Sequence, residues 1–144
     1  MAHPSVTAES PLEGRCLCGA VEVEAAAVTE GVGACHCGMC RRWTGALFAV
    51  VTAPADAVTV RGEAARFASS DFAERAFCPR CGSHLWWRRT DEPDARYDLM
   101  AGLFDAVGGW PLESEIYVDR RPRYLPFGGE RRTRTEAECR GEGA

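Results

Sequence analysis

Cysteine dominates the chemistry this sequence can offer. Seven of its eight cysteines fall in three tight clusters: Cys16-Leu17-Cys18-Gly19, Cys35-His36-Cys37-Gly38-Met39-Cys40 and Cys78-Pro79-Arg80-Cys81-Gly82, with Cys139 standing apart. At such spacings, in a chain without secretory features, thiols read as metal ligands sooner than as disulfides. Thiolates two or three positions apart can bite one tetrahedral ion at metal–sulfur distances near ~2.3 Å. The glycine within or closing each cluster, Gly19, Gly38 and Gly82, permits the tight turn that aims backbone N–H groups at sulfur. One cluster alone could be a redox pair or a set of small buried hydrophobes; three together argue against both.

Counting ligands divides the clusters into two sites. Cys16, Cys18, Cys78 and Cys81 supply the four sulfurs of a closed structural zinc site, joining the start of the domain to its middle. Cys35, Cys37 and Cys40 remain, and three protein ligands plus one exchangeable position is the signature of a catalytic ion. A rival partition completes the trio with His36, His84 or Cys139. His36 lies between two ligands of an extended C-x-C, where its side chain points the other way. Cys139 sits in a polar tail near the chain end. His84 is the strongest of the three, and the open trio is favoured over it. Zinc is preferred to iron because no redox-tuning feature accompanies the cysteines.

A zinc ion on three thiolates carries a local charge of −1, so it acidifies water poorly and suits a soft incoming ligand. A low-molecular-weight thiol taking the fourth place would be held as thiolate, able to form or release a C–S bond at an aldehyde carbon. Arg41 and Arg42 directly follow Cys40 and are candidate partners for a substrate carboxylate. Trp43 is either a wall of the site or core. Trp86 and Trp87, adjacent on a strand, must point to opposite faces, the outward ring forming a pocket wall or a homodimer contact. His84 is a candidate proton shuttle. Asp71 and Glu74 flank Phe72 and are expected to face solvent.

The elements that must position these clusters read as short strands. Val21, Val23 and Ala25 alternate with Glu22 and Glu24, the period of a half-buried strand. Ala46 to Thr52 is a continuous apolar run expected as a buried strand, and Val58 to Val60 a short one ended by Arg61-Gly62. Ala65 to Ala68, Arg75 to Phe77, His84 to Arg89, Tyr97 to Leu103 and Glu115 to Val118 complete the set. Helix is expected only at Gly38 to Thr44 and in a turn around Asp105 to Val107. The organisation expected is a loose arm over 1–12, one zinc-binding β domain over 13–129 and a polar tail over 130–144.

Composition sets the outer limits. The chain has 144 residues, 46% hydrophobic and 26% charged, enough for one domain with its own core. No run approaches the roughly 18 apolar residues of a membrane span, and the start has no signal-peptide pattern, so a cytoplasmic protein is expected. All 17 basic residues are Arg, with no Lys, Asn or Gln, which reads as a GC-rich bacterial coding bias. A net charge of −4 argues against a nucleic-acid binder, despite the Arg-rich stretch from Arg120 to Arg134.

Three ordered motifs, G-R-C-L-C-G-A-V at 14–21, C-H-C-G-M-C-R-R-W-T-G-A at 35–46 and F-C-P-R-C-G-S at 77–83, resemble the glutathione-dependent formaldehyde-activating enzyme family, which also includes centromere protein V-like proteins. The resemblance extends over about residues 14–127. It implies an all-β fold of packed antiparallel sheets with zinc-binding knuckles and little helix, a β-tent, carrying two zinc ions. It also implies the same ligand partition, with Cys16, Cys18, Cys78 and Cys81 as the closed site and Cys35, Cys37 and Cys40 as the site a thiol enters. The activity implied is that of a carbon–sulfur lyase joining or separating glutathione and formaldehyde. The alternative is a non-catalytic module with two structural zinc ions and a protein partner.

Overall fold

The computed structural model describes residues 6–125, 130 and 132–141. Residues 1–5 of the expected arm, 126–129 at the expected domain end, and 131 and 142–144 of the tail lie outside the described residues. Two sheets carry the fold. The smaller has the order β1-β2-β5, from Leu12–Arg15, Glu22–Ala25 and Val58–Arg61, all antiparallel. The larger has seven strands in the order β10-β3-β4-β9-β8-β7-β6: Leu112–Ile116, Glu30–Cys35, Phe48–Ala53, Tyr97–Met100, His84–Arg89, Ala73–Phe77 and Ala65–Ser70. The expected all-β architecture with little helix is present, but β10 runs parallel to β3 at one edge of an otherwise antiparallel sheet.

The large sheet has two apolar faces, which explains why β4 reads as an unbroken apolar run. Val51 and Ala53 of β4 join Ala76, Leu85, Trp86 and Leu99 of the same sheet with Val21 and, from the small sheet, Val23 and Ala25. The 3-10 turns Ala101–Leu103 and Asp105–Gly109 close this main core with Leu103, Phe104 and Val107. Phe48 and Val50 project from the other face of β4 into a second, smaller cluster with Cys40, against which Cys35, Cys37, Trp87 and Met100 pack. Trp86 and Trp87 thus divide between the two faces as strand alternation requires.

Several boundaries differ from the sequence expectation for identifiable reasons. Leu12, the last residue of the expected arm, is 5% exposed and opens β1. The β3 sequence E-G-V-G-A-C hides its strand behind two glycines. The strand expected over Tyr97 to Leu103 ends at Met100, where the chain turns to bury Leu103. The last strand, expected over Glu115 to Val118, ends at Ile116 because Tyr117 adopts a left-handed backbone with φ of 56°. Glu74 is not solvent-facing: it lies in β7, accepts a hydrogen bond from Trp86 Nε1 at 3.3 Å and pairs with Arg66 at 3.6 Å.

Helix α1 occupies Gly38–Thr44, as the sequence predicts. Cys37 is its N-cap, and Gly45, left-handed at φ of 91°, ends it by donating its N–H to the Arg41 carbonyl at 2.8 Å. A second helix, α2 at Glu136–Gly141, stands in the expected polar tail. It begins with a capping box in which the Glu138 N–H donates to Thr135 Oγ1 and the Thr135 N–H to Glu138 Oε2.

Candidate metal centres

The loop between β1 and β2 presents Cys16 and Cys18, and the knuckle between β7 and β8 presents Cys78 and Cys81. Tight turns build both loops. Gly19 and Gly82 take left-handed φ values of 83° and 78°, donating their N–H groups to the Cys16 and Cys78 carbonyls. Ser83 laces the loops together, accepting from the Leu17 N–H at 3.0 Å and lying 3.2 Å from Cys81 Sγ. The Val21 N–H reaches Cys16 Sγ at 3.3 Å. Hydrogen bonding from Ser83, hydroxyl first and then backbone, brings the Cys81 thiol down to about 5, poised as a thiolate.

The four sulfurs lie within 4.8 Å of one another, with Cys16 to Cys18 at 3.7 Å and Cys18 to Cys78 at 3.8 Å. Four sulfurs placed tetrahedrally ~2.3 Å from an ion stand about 3.8 Å apart. The spacing therefore fits a closed metal site before any ion is added. Cys16 and Cys78 are buried, whereas Cys18 is open to solvent.

The second group comprises Cys35 at the end of β3, Cys37 at the helix cap and Cys40 in its first turn, also within 4.8 Å of one another. The Cys40 N–H donates to Cys37 Sγ at 3.3 Å. Burial works to raise Cys37, and this hydrogen bond together with those from the neighbouring thiols outweighs it, leaving the thiol below its ordinary value. Cys40 is pushed up to about 12, chiefly by burial, with Arg75 opposing. Gly38, unlike Gly19 and Gly82, needs no left-handed backbone; it simply begins α1.

None of the three residues weighed as a fourth ligand joins this group among the described residues. The buried His36 ring turns away, its Nε2 2.9 Å from Glu115 Oε1, and Arg121 donates to the same oxygen at 3.0 Å. His36 and then Arg121 hold the Glu115 carboxyl below its ordinary range. His84 stacks on Trp43, ring centroids 4.7 Å apart, and burial followed by the nearby Arg75 charge lowers its pKa. Cys139 is exposed on α2.

Around the trio, Trp87 and Phe48 share a hydrophobic cluster with the three cysteines, and Trp43 also meets Phe67 and Phe77. Arg41 and Arg42 separate: Arg42 is exposed, while Arg41 lines a cavity of about 270 Å³ with His36, Gly38, Arg120, Pro122 and Tyr124, beside the trio in sequence but with none of the three cysteines in its lining. A larger cleft of about 900 Å³ is lined by residues including Arg15, Cys16, Thr44, His84 and Met100, and does not touch Cys35, Cys37 or Cys40.

Sequence reasoning missed Arg75. It is 3% exposed, on the same face as Trp87, and its Nη2 stands 3.6 Å from Cys40 Sγ. It also missed Arg120 and the Glu115–Arg121 support behind His36. Arg75 meets Cys40 only through the fold, 35 residues away in sequence, and although Glu115 and Arg121 are six residues apart, their place behind His36 depends on the pairing of β10 with β3.

This architecture, two sheets with cysteine knuckles, is that of a protein class, and comparison identifies which. The family model for the glutathione-dependent formaldehyde-activating enzyme matches residues 11–120, and the chain belongs to that family. It is 31% identical over 116 residues to an uncharacterized lyase of Schizosaccharomyces pombe, covering 80% of this chain and 84% of that protein. A crystal structure of a Rhodobacter sphaeroides protein superposes with a TM-score of 0.57 at 26% identity, covering 72% of this chain and 99% of that one. No helix among the described residues is long and apolar enough to cross a membrane.

Proposed function

We propose that the protein is a zinc-dependent carbon–sulfur lyase that forms or cleaves the adduct of a low-molecular-weight thiol, glutathione or a close relative, with an aldehyde such as formaldehyde. The observation that carries this reading is the inequality of the two cysteine groups. Four sulfurs, enough to saturate a tetrahedral ion, stand together at one, while three sulfurs with no fourth side chain among the described residues stand at the other. Family membership and the lyase relative support the class of reaction.

In the addition direction the thiol sulfur bonds to the aldehyde carbon, the C=O π bond opens, and the thiol proton ends on oxygen; cleavage is the reverse, and neither changes oxidation state. When bound at Cys35, Cys37 and Cys40, zinc would supply a soft Lewis-acid position that favours the deprotonated form of an incoming thiol. The chain's own residues do the rest. Trp87 and Phe48 pack beside the cysteines and cover the buried Cys40, while Arg41 with Arg120 offers guanidinium groups to a thiol's carboxylates from the lining of the small cavity. His84, kept neutral by burial and by the Arg75 charge, stacks on Trp43 of α1 and is the titratable side chain we assign to accept and return the proton.

The test is optical. Cobalt-substituted protein titrated with glutathione to millimolar concentration is expected to change its thiolate-to-metal absorption, whereas an unaltered spectrum would refute the thiol reading.

A further inference from the structure

Arg75 is a buried cation without an anion. Its guanidinium forms no ion pair among the described residues, and its Nη1 is buried with no hydrogen-bond partner. The rings of Trp43 and Phe48 lie 6.0 and 5.6 Å from its central carbon, and among the described residues the Nη2 contact to Cys40 Sγ is the one side-chain hydrogen bond it makes. Its strand neighbour Glu74 faces the opposite way, toward Trp86 and Arg66. Aromatic faces recover part of the cost of desolvating a guanidinium, and a neutral thiol is only a weak acceptor. A cation so placed calls for negative charge at Cys40.

Three thiolates around a divalent ion provide that charge, leaving a net −1. The four-sulfur group has a larger excess but a different remedy: Cys18 is exposed to water, Cys16 receives the Val21 N–H, and Cys81 lies against Ser83. Cys40 is buried and has no such access to solvent. We propose that Arg75 is the fixed counter-ion of the three-cysteine site, a positioning residue that offsets the charge of the metal-bound trio and leaves room for one further anionic sulfur. The last consequence rests on the thiol reading above; the counter-ion role does not.

Chelator competition on the full-length cobalt-loaded chain tests this, with circular dichroism as the check on folding. In Arg75→Gln, which removes charge but retains a polar side chain, one of the two ions is expected to bind on the order of a hundredfold more weakly, the other unchanged. Arg75→Lys should recover that affinity to within about tenfold, because it restores the charge. Unaltered affinity for both ions in Arg75→Gln overturns the proposal. So does an Arg75→Lys protein that releases the ion as readily as Arg75→Gln, since packing would then matter and charge would not. Should Arg75→Gln fail to fold, Arg75→Lys still decides: affinity within about tenfold of wild type supports the counter-ion role and a greater loss overturns it. Glutathione titration of the wild type separates the two readings, since silence there would refute the thiol and leave these affinities standing.

Discussion

The two cysteine groups differ in what they connect. Cys16 and Cys18 lie on the small sheet's loop and Cys78 and Cys81 on the large sheet's knuckle, so an ion there ties together segments 60 residues apart. Cys35, Cys37 and Cys40 lie within one strand-to-helix turn, where an ion closes a loop that the backbone already closes through the Cys37 cap and Gly45. Metal at the first should be a folding element and at the second a reagent. Magnitudes favour this division: structural zinc contributes ~10–16 kcal/mol in small zinc domains, against ~2–5 kcal/mol for truncating one large core side chain.

The sharpest way to break the comparison is Cys16→Ser. The four-sulfur ion should be lost or greatly weakened and the cooperative thermal transition abolished, as followed by circular dichroism. Cys37→Ser should retain the fold, native mass spectrometry should find two ions per chain in the wild type and one in the variant, and lyase activity should vanish. If both substitutions proved equally harmless, the division would be wrong. Arg41→Ala touches neither ion; it should raise KM for glutathione about tenfold through lost carboxylate pairing, with kcat little altered. The smallest effect belongs to Glu115, whose depressed pKa means that its ionised form is favoured by folding. Its stabilisation should be complete above the ordinary value near 4.5 and fade as pH falls through the lower folded-state value. Glu115→Gln should therefore melt below wild type at neutral pH, and the gap should close in acid.

The same division governs what could be read from the linear chain. Local patterns carried β2, β5, β8 and α1, and cysteine spacing alone separated the four sulfurs from the three. Long-range facts were hidden. Nothing near Leu112 announces that β10 will pair in parallel with β3, and A-E-R-A-F reads as an ordinary alternating strand until α1 covers the face bearing Arg75. The Thr135-x-x-Glu138 capping box was legible, yet the polar tail around it concealed a helix that packs on no core.

Cadmium NMR of the cadmium-loaded chain tests the central claim most directly. Two resonances are expected, both in the sulfur-ligated range, of which only one moves when glutathione is added and that same one disappears in Cys37→Ser. Two resonances indifferent to thiol, or two that move together, would contradict the account.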